Sequence, residues 1–175
     1  MTGRNQNKTA LLVIDVQQGL FHKSHPIYKE NELLDNINSL VDRAHQAEAP
    51  VFYVQHCDER DLAQGSEGWQ LHPRLHPLKT DGSVFKHKGN SFEETNLDAL
   101  LKAKGVETVV ITGLVTHGCV KNGCLGARAL GYRVTLVQDT HSNYSAKAAE
   151  LIVEWNQKLA AEGVELRPAA EIVFA

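Results

Sequence analysis

Three residues of this chain pair a reactive group with a position where chemistry is commonly placed. Asp15 closes the apolar run Ala10–Ile14, Lys86 closes the short run Ser83–Lys86, and Cys119 follows Ile111–Gly118 into an apolar-periodic segment. A cysteine that opens a helix meets unpaired backbone N–H groups and the positive end of the helix dipole, and both favour a thiolate. Cys119 therefore reads as a nucleophile of lowered pKa, with backbone donors aimed at any oxyanion formed beside it. Gly113 and Gly118 allow the tight turn this needs. The other reading of Cys119 is a small core hydrophobe, the common fate of free cysteines. Asp15 reads equally as a helix N-cap and as a general base whose pKa burial has raised. Lys86 reads as the cation that holds thiolate and carboxylate in place, or as a solvated lysine, with Lys88 competing for the role.

Other residues carry weaker signals. Gly113 and Gly118 have the spacing of half a phosphate-binding loop, but Cys119 and Val120 stand where Lys and Ser or Thr are required. Nine histidines raise the question of a metal. His72 and His76 are each followed by a proline, Pro73 and Pro77, which prevents a paired helical face and leaves them as solvated loop histidines. Neither a metal nor a cofactor is predicted. His56 and Cys57 end the second strand and can line a cleft, whereas Cys124 falls on the apolar face of its helix. Gln17, Phe21, His56, Trp69 and His117 are the candidates for the substrate pocket.

Positioning these groups falls to alternating elements. Strands are predicted at Ala10–Ile14, Val51–Val54, Ser83–Lys86, Thr108–Ile111 and Tyr132–Val137, with a sixth at Val164–Leu166 or Glu171–Phe174. Helices are predicted at Glu32–Glu48, Phe92–Lys104, Cys119–Leu130 and Ala146–Glu162. Such alternation implies right-handed crossovers. The expected fold is a single α/β domain over residues 1–175: a doubly wound, six-stranded, mainly parallel sheet with helices on both faces. Ligands of such sheets bind beyond the carboxyl ends of the strands, where the strand order reverses. Residues 57–82 read as a long irregular loop. Its Trp69, Leu71, Leu75 and Leu78 predict exposed apolar surface and hence a homo-oligomer.

Composition excludes several classes. With 175 residues, 42% hydrophobic and 22% charged, the chain is neither disordered nor fibrous. A net charge of −3 without any basic block offers no footprint for nucleic acid. The polar opening MTGRNQNK and the five-residue run Ala10–Ile14 fall short of a secretory or membrane-spanning segment. Three cysteines without a CxxC suit a reducing compartment. A cytoplasmic protein acting on a small molecule, without membrane or nucleic-acid partners, is expected.

Five stretches together resemble the isochorismatase-like cysteine hydrolase superfamily, which includes nicotinamidases and N-carbamoylsarcosine amidases. They are LLVIDVQ (Leu11–Gln17), FKHKGNSFEETNL (Phe85–Leu97), ITGLVTHGCV (Ile111–Val120), Ala127–Asp139 with Gly131 and Tyr132, and the ending PAAEIVF. The resemblance covers nearly the whole chain and implies the fold described above. It also implies a catalytic triad of Asp15, Lys86 and Cys119, and a cis peptide at Leu114–Val115. The oxyanion hole would be built from the N–H groups of Val115 and Cys119, and the protein would be a dimer or tetramer. Two departures stand out. Nicotinamidases carry Asp-x-His and a further His as metal ligands after the second strand, where this chain reads QHCDERD (Gln55–Asp61). Gly123 stands where members often have Thr.

The function these residues imply is a cysteine-dependent hydrolase that cleaves a C–N bond of a small amide-like molecule through a thioester. Isochorismatases that cleave a vinyl ether do not need the cysteine, so its presence leans toward acyl chemistry. An ether hydrolase of isochorismatase type and a non-catalytic ligand-binding member of the fold are the alternatives.

Overall fold

Apolar runs that are covered on both faces become the strands of one sheet. The computed structural model describes residues 8–175; the polar stretch 1–7, read above for targeting, lies outside them. The strands are β1 (Thr9–Ile14), β2 (Val51–His56), β3 (Gly82–Lys86), β4 (Thr108–Leu114), β5 (Arg133–Ser142) and β6 (Glu165–Arg167). The helices are α1 (Glu30–Gln46), α2 (Leu97–Ala103), α3 (Lys121–Ala129) and α4 (Ala148–Ala161). Strand order is β3-β2-β1-β4-β5-β6, and every strand pairing is parallel. The chain winds outward from β1 in one direction and from β4 in the other, so the order reverses between these two central strands.

Alternate residues of β1 feed two apolar layers. Ala10, Leu12 and Ile14 join Leu97 and Leu101 of α2, Cys124 and Ala127 of α3 and Leu159 of α4. Leu11 and Val13 face α1 through Leu34, Ile37 and Leu40, and Ile172 and Phe174 extend that layer. The period of two in the strand and 3.6 in the helix is what lets one run of residues serve both layers. Among the described residues, no helix is long and apolar enough to cross a membrane.

Several boundaries differ from the sequence reading. Phe92–Asn96 forms turns instead of helix, because Thr95 donates its hydroxyl to the Ser91 carbonyl at 2.6 Å while accepting the N–H of Leu97. The sixth strand is Glu165–Arg167; Glu171–Phe174 is not a strand but an apolar tail following a 3-10 turn at Ala169–Glu171. Helix α3 starts at Lys121, after a π-type turn over Thr116–Val120 that carries Cys119.

The 57–82 loop does not present the apolar surface predicted for it. Leu75 is buried, and Leu71 pairs with Gln17 in an isolated antiparallel bridge. Trp69 donates its indole N–H to the Cys57 sulfur at 3.3 Å and lies against Phe85, ring centroids 5.2 Å apart. Only Leu78 of the four named residues stays largely exposed. The loop therefore gives no reason for self-association.

Candidate active site

The carboxyl ends of β1, β2, β3 and β4 deliver Asp15, His56, Lys86 and the turn bearing Cys119 to one place. Ile14 registers with Val54 on one side and Gly113 on the other, and His56 registers with Lys86. Lys86 starts from the edge strand and is fully buried. Its Nζ donates to Asp15 Oδ2 at 3.1 Å, His56 Nδ1 at 2.9 Å, the Lys88 carbonyl at 3.1 Å and Cys119 Sγ at 3.2 Å. Four acceptors around one nitrogen describe a cation held on every side. The question of Lys86 against Lys88 is resolved in space: Lys88 contributes its backbone carbonyl, while its side chain is exposed.

Asp15 takes no part in capping. The 3-10 turn Gln18–Phe21 that follows it has no side-chain cap. Its backbone is left-handed, φ 53°, a conformation Asp tolerates better than most residues. Burial pushes its pKa up, opposed by the charge of Lys86 and by the neighbouring Cys119 thiol. Oδ1 is buried without a hydrogen-bond partner of good geometry, which leaves it to that thiol.

The expected low pKa of Cys119 is not what this site produces. Burial, and then the Asp15 carboxylate, push the thiol up to about 12 against the pull of Lys86. The helix-dipole expectation assumed a helix that opens at Cys119, whereas the residue sits inside the π-type turn and is mostly enclosed. The resting thiol is neutral and lies 3.2 Å from Lys86 Nζ, which is itself 3.1 Å from the Asp15 carboxyl. His56 is also held below the usual imidazole range by burial and by Lys86. Its Nδ1 accepts from Lys86, so the ring proton sits on Nε2.

The turn is fixed from both sides. The Leu114–Val115 peptide is cis, and the Val115 carbonyl accepts the N–H groups of both Gly118 and Val120. Gly113 has φ 124°, and a Cβ there would lie 2.0 Å from the Ile14 carbonyl oxygen, so only glycine fits. Behind the turn runs a chain of buried polar groups. Asn143 donates to the Thr116 hydroxyl at 3.3 Å, Thr116 donates to His141 Nδ1 at 2.9 Å, and His141 Nε2 donates to Asn156 Oδ1 at 2.8 Å. Sequence reasoning passed over Thr116, His141 and Asn143, because residues far apart in the chain show no spacing signal.

The proposed pocket residues divide. His56 belongs to the central cluster. Gln17 is fully buried, and its amide is consumed structurally: Nε2 donates to the His56 and Trp69 carbonyls and Oε1 accepts the His56 N–H. Phe21 lies against His72, ring centroids 4.5 Å apart. Trp69 belongs to the loop packing described above, and His117 is exposed on the turn that carries Cys119. The polar residues after β2 take part in local hydrogen bonds. Asp58 Oδ1 accepts the N–H groups of Arg60 and Leu62, Cys57 accepts from Trp69, and His72 Nδ1 accepts the Arg74 N–H.

Comparison with known proteins matches residues 9–162 to a family model described as the isochorismatase domain. The uncharacterized isochorismatase family protein YddQ of Bacillus subtilis is 31% identical over 150 residues, 83% of each chain. A streptothricin hydrolase of Streptomyces noursei is 34% identical over 142 residues; the match takes in 80% of this chain but about half, 51%, of that protein. A crystal structure of an isochorismatase family protein superposes with a TM-score of 0.86 at 32% identity, covering 93% of this chain and 99% of that one.

Proposed function

Because the chain belongs to the isochorismatase family, we propose that it is a cysteine-dependent hydrolase that cleaves a C–N bond of a small amide-like molecule. The observation that carries this reading is Lys86 Nζ, 3.1 Å from the Asp15 carboxylate and 3.2 Å from the Cys119 sulfur, at the point where the strand order reverses. A relative's name, streptothricin hydrolase, supports hydrolysis as the reaction class.

A thiol that is neutral at rest must lose its proton as it attacks. Asp15 is suited to accept it, because a carboxyl whose pKa is raised sits closer to the thiol's own. The Cys119 sulfur then bonds to the substrate carbonyl carbon, and the carbonyl π electrons move to oxygen. The N–H groups of Val115 and Cys119 would hold that oxyanion; one such donor is commonly worth about 10²–10³ in rate. Collapse breaks the C–N bond and the amine leaves with the proton from Asp15. Water then gives a proton to Asp15 and attacks the thioester, releasing the acid and returning the proton to sulfur. Lys86 holds Asp15 and the sulfur in place through its hydrogen bonds to both.

A panel of small amides, run in EDTA with amine release and intact-protein mass both recorded, tests this reading. Amine release that survives chelation, with an acyl adduct on Cys119, is expected. Cleavage of isochorismate to dihydroxybenzoate and pyruvate that persists in Cys119→Ala would replace it with the ether hydrolase. Ligand binding without any turnover would make the protein a non-catalytic member of the fold.

A further inference from the structure

We infer that Asp15, His56 and Cys119 also form a latent binding site for a thiophilic divalent cation such as Zn²⁺, closed at rest by the Lys86 ammonium. A carboxylate oxygen, an imidazole nitrogen and a sulfur from these three residues all lie within 4.8 Å of one another. Carboxylate, imidazole and thiolate are the donors that zinc takes. They come from three separate strand ends, so the grouping is a product of the fold and has no sequence signature.

What occupies the centre is already a cation. Lys86 Nζ has four acceptors at 2.9–3.2 Å, one more than the three protons an ammonium can donate. Zinc bonds to oxygen, nitrogen and sulfur at about 2.0–2.3 Å. A zinc ion at the ammonium's place would therefore require each ligand to close in by about 1 Å, within reach of side-chain rotation. Asp15 Oδ1, which faces the Cys119 thiol at rest, offers a further oxygen once the thiol proton has left. Cys119 and His56 are partly exposed, which gives the ion a way in. On binding, the thiol proton passes to the buffer, two Zn–ligand bonds form to neutral imidazole and thiolate and a third to carboxylate, and Lys86 swings out of the cage. The product blocks the nucleophile, so zinc acts here as a reversible inhibitor and not as a cofactor.

Competition between Lys86 and the metal makes an inverted expectation: deleting a residue of the cluster should improve binding. Cobalt(II) serves as the spectroscopic probe, with zinc used to displace it. Wild type should take up one Co²⁺ with a thiolate-to-cobalt charge-transfer band that zinc bleaches. Lys86→Met should bind about tenfold or more tighter, and His56→Phe about tenfold or more weaker. Cys119→Ser should lack the band. Absence of the band in wild type overturns the inference, as does a band that survives Cys119→Ser or binding in folded Lys86→Met no tighter than in wild type. The His56→Phe and Cys119→Ser comparisons leave the buried Lys86–Asp15 pair intact, so they decide the matter if Lys86→Met does not fold. Metal uptake is read directly, so its outcome is independent of whether any amide is hydrolysed.

Discussion

At the scale of single residues, access and acidity separate among the three thiols. Cys57 and Cys124 are buried, while Cys119 is partly exposed. Burial also holds Cys124 up at about 12, as it does Cys119. Limiting iodoacetamide should therefore label Cys119 first, because it is reachable, yet slowly at neutral pH and faster with each rise in pH. Adduct mapping at pH 7 and 9 checks both parts; preferential labelling of Cys57, or fast labelling that does not change with pH, would contradict them. The grouping of Asp15, Lys86 and Cys119 was legible from residue type at strand ends. The protonation state was not, because it depends on how deeply the fold encloses the thiol and how near it brings a second negative charge.

At the scale of elements, the strand ends are locked to one another before any substrate arrives. Gln17, just beyond β1, ties the end of β2 to the long loop through three hydrogen bonds to backbone. Gln17→Ala leaves the His56 N–H and carbonyl without these partners, and each buried unsatisfied group costs about 1–3 kcal/mol. A loss of about 2–4 kcal/mol in urea unfolding is expected; a loss below about 0.5 kcal/mol would show that water replaces the amide. Parallel strands were readable because runs such as Ala10–Ile14 are apolar throughout, as burial on both faces requires. Helix starts were less so. Phe92 is apolar and packs against Tyr132, centroids 5.9 Å apart, which mimics a helical stripe although the chain there turns. Lys86 and His56 meet through strand register, and neither residue's neighbours in sequence announce it.

At the scale of the whole molecule, the buried polar chain behind the Cys119 turn makes stability depend on pH. Burial lowers His141 to about 4, partly offset by its bond to Asn156 and by Asp139, against an ordinary value of 6.5. Between these values the unfolded chain binds a proton that the folded one does not. The contribution is thus present above pH 6.5 and is lost as pH falls toward 4. Relative to His141→Gln, wild type should lose about 2–3 kcal/mol more between pH 7.5 and pH 4.5. Equal pH slopes in urea unfolding would contradict this. Self-association as a dimer or tetramer is a proposal that the 57–82 loop no longer supports. Exposed apolar residues outside that loop, among them Val153 on α4, Leu125 and Leu130 around α3, and Val173 near the chain end, are the candidates to carry it. Sedimentation at micromolar concentration should show an oligomer, and a monomer would end the proposal.

The central claim is that Asp15 and Cys119 share one proton under the charge of Lys86. Its most direct test needs no substrate: the rate of Cys119 alkylation against pH in Asp15→Asn and in wild type. Asn keeps the shape and removes the negative charge that raises the thiol. The alkylation midpoint should therefore move to lower pH, and labelling at neutral pH should quicken. The same variant should lose turnover by about 10²–10⁴, since the proton acceptor is gone. An unmoved midpoint, or one that moves upward in a folded variant, would contradict the claim.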